Sequence, residues 1–128
     1  MAIALYFAAF LAVAVGAAHS YLGERYIISR LLRRDNLPKL FGSDAFTRQT
    51  LRFAWHLTTI AWWGFAAILA LMAFDAFSRE NTALVLALTF LASAILTAAY
   101  TRGRHLAWVV FLLIAVIAAA AYAAGTGA

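Results

Sequence analysis

Two histidines stand near the ends of apolar runs, each beside residues that could share a ligand with it. The stretch "GAAHSYLGE" carries His19 and Glu24, and the stretch "LRFAWHLTT" carries His56 directly after Trp55. Ionisable side chains inside membrane segments are costly and by default serve a function. The sequence therefore predicts a ligand-binding site at one end of these runs. Its predicted members are His19, Glu24, Arg52, Trp55, His56 and Trp63.

Helical spacing groups these residues into two faces. At 100° per residue, Gly16, Ser20 and Gly23 form a stripe of small residues, with His19 and Glu24 on its two sides. A small-residue stripe allows another helix to approach closely. The second apolar run and the residues just before it have one helical side that combines cations, aromatic rings and a hydroxyl. This side consists of Arg48, Arg52, Trp55, His56, Thr59 and Trp63. We expect His56 to face the first helix and not lipid.

Four kinds of ligand fit these residue types, and the sequence leaves the choice open. A single haem b could lie between two imidazoles of a helical bundle. A divalent metal could use His19, His56 and His105, with Glu24 as a fourth ligand. A quinone or another amphipathic molecule could accept a hydrogen bond from His56 between tryptophan walls. Anionic lipid head groups could dock on arginine.

The stretch "RYIISRLLRRDN" indicates contact with the membrane surface. Its isoleucines and leucines fall on one helical face and its arginines on the other. This pattern is typical of a helix that lies in the interface, with guanidinium groups reaching lipid head groups. The predicted head-group ligands are Arg30, Arg33, Arg34 and Arg48.

Long apolar runs supply the elements that position these residues. The chain is 66% hydrophobic, and its four runs cover about residues 1–22, 53–74, 82–100 and 106–124. A helix needs about 20 apolar residues to cross a bilayer, and helices satisfy the backbone within each segment. The first run lacks the basic start of a signal peptide and is too long for one, so we expect it to be a spanning helix. We predict an all-α integral membrane protein with one domain over residues 1–128. Its four transmembrane helices form an up-down-up-down bundle, with an amphipathic interfacial segment over residues 23–52.

Basic residues predict the orientation. Nine of the ten lie in residues 23–52 or in the turn "TRGRH", whereas the connection between the second and third runs has only Arg79. The positive-inside rule places the arginine-rich side in the cytoplasm and both termini outside, as in a bacterial inner membrane protein. Because the arginines adjoin the apolar runs, we expect membrane lipids and no nucleic acid as partners.

Composition narrows the function classes. The chain has no cysteine, which excludes disulfides and thiol chemistry, and no Ser-His-carboxylate spacing favours hydrolysis. We expect a small multi-pass membrane protein, not an enzyme, with a cytoplasmic-face site for haem, metal, quinone or lipid. One alternative is an accessory subunit of a larger membrane assembly or a homo-oligomer, since the fourth run is smooth and alanine-rich. Another is an oligomeric channel or transporter whose pore is lined by the third run. The hydroxyl stripe of that run consists of Thr82, Thr89, Ser93, Thr97 and Tyr100.

Overall fold

The computed structural model describes residues 1–127 and contains four long helices. They are α1 (Ala2–Leu31), α2 (Ala45–Ala73), α3 (Arg79–Thr101) and α4 (Ala107–Thr126). Each is long and apolar enough to cross a membrane, and residues 1–127 form no β-strand. This confirms the expected all-helical chain with four segments of membrane-spanning length.

The helices pack in chain order as a row. α1 lies against α2, α2 against α3, and α3 against α4, and no other pair of these helices is in contact within residues 1–127. Both α1 and α3 therefore rest on α2 without contacting each other. This leaves a space above α2 that has α1 on one side and α3 on the other.

The segment 23–52 differs from its predicted form. Helix α1 does not end near residue 22 but continues through a π-helical turn, Glu24–Ile28, to Leu31. The only proline of the chain is Pro38, so nothing in the sequence breaks the helix at residue 23. Helix α2 already begins at Ala45. The predicted segment is thus the end of one helix, a short connection, and the start of the next.

The hydroxyl stripe of α3 is bonded to its own helix. The hydroxyls of Ser93, Thr97 and Thr101 each donate to the carbonyl four residues earlier, and all three side chains are buried. Such back-bonding is the usual state of Ser and Thr inside helices. Thr89 has the same bond but also borders a cavity. The stripe therefore serves helix packing along most of its length.

Candidate ligand-binding site

Two glycines of α1 allow α2 to approach closely. A Cβ atom on Gly16 would lie 2.7 Å from Nε1 of Trp63, and one on Gly23 would overlap the indole of Trp55. The two indoles also donate hydrogen bonds to α1, from Trp55 Nε1 to His19 O (3.1 Å) and from Trp63 Nε1 to the carbonyl of residue 13 (3.2 Å). The small-residue stripe is therefore a docking surface for two tryptophan rings.

A continuous chain of hydrogen bonds links α1 to α2 beside these rings. Thr59 Oγ1 lies 3.2 Å from Gly16 O and 2.8 Å from Ser20 Oγ. Ser20 Oγ lies 2.9 Å from His56 Nδ1, and His56 Nε2 lies 3.3 Å from Glu24 Oε2. His56 therefore faces α1, as expected from its position beside Arg52 and Thr59.

The carboxylate of Glu24 is held by three donors. Arg52 Nη2 lies 3.0 Å from Glu24 Oε1, Ser29 donates to the same oxygen at 2.9 Å, and His56 reaches the other oxygen. Ser29 can reach Glu24 because the π-helical turn brings residues five apart onto one side, where the Ser29 N–H also donates to Glu24 O. The side chains are about a third exposed for Glu24 and 13% exposed for His56. The acidic group is thus charge-compensated at its site.

The chain of hydrogen bonds has two consistent proton arrangements. A carboxylate only accepts, so His56 Nε2 carries a proton in both. In the first arrangement Ser20 donates to His56 Nδ1 and Thr59 donates to Ser20, which leaves Gly16 O without the Thr59 donor. In the second, His56 carries both ring protons, Ser20 donates to Thr59, and Thr59 donates to Gly16 O. The contact with Glu24 is made in both arrangements, whereas the Thr59 bond to Gly16 O is made only in the second.

The three histidines lie in three separate settings. His19 stacks on Trp55 with ring centres 4.3 Å apart, and its Nε2 lies 2.9 Å from the hydroxyl of Thr58. His105 stacks on Phe46, and its Nδ1 accepts from the N–H of residue 107. In the part of the chain that the structure describes, no three His, Asp or Glu side chains are close enough to hold a metal ion. Both ring nitrogens of His56 are already bonded, so the metal or haem site stays a prediction that this geometry does not support.

Three cavities follow one side of α2 and are called here the α2 cleft. The first, about 600 Å³, is bordered by α1 and by His56 and Trp63 of α2. The second, about 490 Å³, lies between α2 and α3, shares Trp63 and is almost entirely apolar. The third, about 330 Å³, lies at the arginine end and includes Arg52 and Tyr100. It adjoins the first because the ring of Tyr100 stacks on His56 at 5.7 Å and Arg52 is bonded to Glu24.

The structure divides the predicted site residues between two sides of the α1–α2 pair. Glu24, His56 and Trp63 border the first cavity of the α2 cleft, and Arg52 borders the third. His19 instead lines a groove of about 410 Å³ on the opposite side, together with Trp55 and Trp62. The two groups flank the same helix contact but do not share a cavity.

The predicted head-group arginines are exposed or partly exposed. Arg30 lies over the ring of Tyr26, and Arg33 donates to Ser29 O. Arg48 forms an ion pair with Asp44, and this hydrogen bond holds the pKa of the Asp44 carboxyl below its usual value. These side chains line the end of the molecule where α1 and α2 are connected.

Sequence reasoning missed several members of the site. Helical spacing places Ser20 and Thr59 on the two facing helix sides, but neither was among the predicted binding residues. The available signal was that each carries a hydroxyl group on the side that also carries a predicted site residue. Ser29 depends on the π-helical turn, and Tyr100 depends on how α3 approaches α2. A helical wheel drawn at 100° per residue for one segment represents neither a π-helical turn nor the way another helix packs against that segment.

Comparison of the chain with protein-family models, curated proteins and solved structures finds no match. Function is therefore inferred from the chemistry of the α2 cleft. The cavity at the arginine end is lined mostly by polar surface, and the two cavities beyond it are lined almost entirely by apolar surface. This is the polarity of an amphipathic molecule.

Proposed function

We propose that this small multi-pass membrane protein binds an amphipathic membrane molecule, a lipid or a quinone, in the α2 cleft. The polar head lies at Glu24, His56 and Arg52, and the hydrocarbon chain lies across Trp63. The observation that carries the proposal is a row of three cavities along α2, of which the one at the arginine end is mostly polar and the other two are almost entirely apolar.

The walls of the cleft support this proposal. The two cavities measure about 600 and 490 Å³ and are shallow grooves that open widely to the surroundings of the helices. Trp63 is 46% exposed and gives both cavities a flat apolar wall. The head end offers guanidinium groups, with Arg25 at the first cavity and Arg52 at the third, which suit an oxygen-rich head group.

The orientation in the membrane is part of the same proposal. Contacts pair the end of α1 with the start of α2, as in Glu24 with Arg52, and the start of α1 with the end of α2, as in Tyr6 with Phe74. Such pairing supports an up-down-up-down arrangement. Nine of ten basic residues then face the cytoplasm of a bacterial cell, and both termini face outward. The connection after α1 lies in the interface, with its arginines at the head groups.

A matched pair of substitutions tests the proposal. Ala17 borders the first cavity of the α2 cleft, whereas Ala18 borders the groove that contains His19, and both are exposed. Protein purified in mild detergent is extracted, and the lipids and quinones that remain bound are quantified by mass spectrometry. We expect Ala17→Phe to lose the retained molecule and Ala18→Phe to keep it. Equal retention in both variants would contradict binding in the α2 cleft.

A role as an accessory subunit is the second candidate. It is favoured by the row of helices, in which α1 and α4 each contact one neighbour and leave long apolar sides free. On α4 these sides include Val109, Val116 and Ile117, which are each more than 40% exposed. Cross-linking in native membranes tests this role, because a homo-oligomer or a larger membrane complex gives discrete adducts through α4. If α4 forms adducts with lipid and none with protein, the accessory-subunit role is contradicted.

A further inference from the structure

Three arginines from two helices meet at the end of the α2 cleft. Arg48 and Arg52 lie one helical turn apart on α2, and Arg102 follows the last residue of α3. Together with Tyr100 they border the cavity of about 330 Å³, whose lining is more polar than apolar. The backbone of Arg102 has a left-handed conformation (φ 51°) at the C-terminal end of α3, where a cation is favourable.

Two of these arginines have a carboxylate partner among residues 1–127, and the third has none there. Arg48 is paired with Asp44 and Arg52 with Glu24. Within the described residues Arg102 forms no ion pair and no side-chain hydrogen bond, so one positive charge is left over. The Nε atom of Arg52 is buried and has no hydrogen-bond partner there either. This atom has almost no accessible surface, so the group that an anion in the cavity can pair with is the exposed guanidinium of Arg102.

We propose that this arginine pocket binds a phosphate group, and that the amphipathic ligand of the α2 cleft is therefore a phosphate-bearing lipid. This inference rests on the proposed function for the hydrocarbon part of the ligand. Guanidinium groups bind phosphate through paired N–H donors, and three of them around one cavity suit a tetrahedral anion with several oxygens. Arg52 connects the two parts of the site, because its Nη2 holds Glu24 while its side chain also borders the arginine cavity.

Thermal unfolding of the full chain in a neutral detergent tests this inference. The probes are dioleoyl phosphatidic acid, dioleoylglycerol with the same chains and no phosphate, and inorganic phosphate. We expect phosphatidic acid to raise the unfolding midpoint in a saturable way and dioleoylglycerol to raise it much less. Loss of a charge-assisted hydrogen bond should weaken the apparent affinity of Arg102→Gln for phosphatidic acid by about tenfold or more. Arg104→Gln, an exposed arginine outside the pocket, serves as the control.

The outcomes separate the phosphate inference from the proposed function. In one outcome, inorganic phosphate protects as well as phosphatidic acid does, and this protection is lost in Arg102→Gln. That outcome supports the phosphate pocket with free phosphate as its source and removes the need for a lipid chain. In another outcome, phosphatidic acid and dioleoylglycerol protect equally, and Ala17→Phe reduces the protection by both. That outcome overturns the phosphate inference and leaves the proposed function standing. An unchanged affinity in Arg102→Gln also overturns the phosphate inference. No response to any probe overturns the phosphate inference and contradicts binding of a glycerolipid, whereas binding of a quinone is decided by the retention measurement on Ala17→Phe and Ala18→Phe.

Discussion

His56 Nε2 lies 3.3 Å from Glu24 Oε2, although 32 positions separate the two residues in the chain. This contact joins one position of α2 to one position of α1, together with the bonds of Ser20 to His56 and Thr59 beside it. Such a polar contact is costly when only one partner is present. It therefore acts as a specific connection between the two helices and as the polar end of the α2 cleft.

The first prediction concerns the energy of this contact. His56→Ala and Glu24→Gln should each lower the free energy of unfolding by about 1–2 kcal/mol, since the remaining partner loses a hydrogen bond and Glu24 is partly exposed. The double variant should lose less than the sum of the two. Unfolding in mixed micelles measures this coupling. His105→Ala combined with Glu24→Gln is the control and should be additive, as His105 stacks on Phe46 elsewhere.

The second prediction compares two buried threonines. Thr59 is 4% exposed and joins α2 to α1 through Ser20 and Gly16 O, whereas Thr97 is fully buried and donates only to its own helix. Thr59→Val should therefore destabilise the protein by about 1 kcal/mol, and Thr97→Val should be close to neutral. Denaturation midpoints in the same detergent report both values. A larger loss for Thr97→Val than for Thr59→Val would contradict the stabilising role of the Thr59 contacts between α1 and α2.

The third prediction concerns the glycines beneath the tryptophans. An unhindered Gly→Ala change inside a helix stabilises it by about 1 kcal/mol. Gly23→Ala and Gly16→Ala should instead destabilise, because the new methyl group displaces an indole, with the larger effect at Gly23. Gly125→Ala is the control, since its methyl group meets only the flexible side chain of Glu80. Stabilisation by Gly23→Ala would mean that Trp55 does not rest on α1.

The fourth prediction concerns topology. The chain has no cysteine, so single cysteines can be labelled without background. Asn36→Cys should be protected from a membrane-impermeant maleimide in intact cells, and Phe77→Cys should react, because the arginine-rich side faces the cytoplasm. The reverse pattern would place the arginine pocket outside the cell and remove its access to the cytoplasmic leaflet.

The lengths of the apolar runs made the four helices predictable, whereas the exact ends of the helices and the connections between them were not. Apolar runs of about 20 residues indicate spanning helices whatever their neighbours, and the small-residue stripe with His19 and Glu24 at its sides indicated where α2 would dock. The extension of α1 to Leu31 depends on a π-helical turn, which a wheel of 100° per residue does not contain. The separation of His19 from His56 follows from their positions on opposite sides of the α1–α2 contact. Depth in the membrane alone had suggested that they share a site.

Photo-cross-linking with a diazirine-bearing phospholipid tests the central claim most directly, because it reports where a lipid chain lies. In proteoliposomes we expect saturable adducts on Ile60, Trp63 and Leu96, which line the second cavity of the α2 cleft. Ala17→Phe should reduce these adducts, and adducts on the outer side of α4 at Ile117 should stay unchanged as a measure of bulk lipid. The account would be contradicted if the cleft residues formed adducts in the same amount as Ile117 and if Ala17→Phe left that amount unchanged.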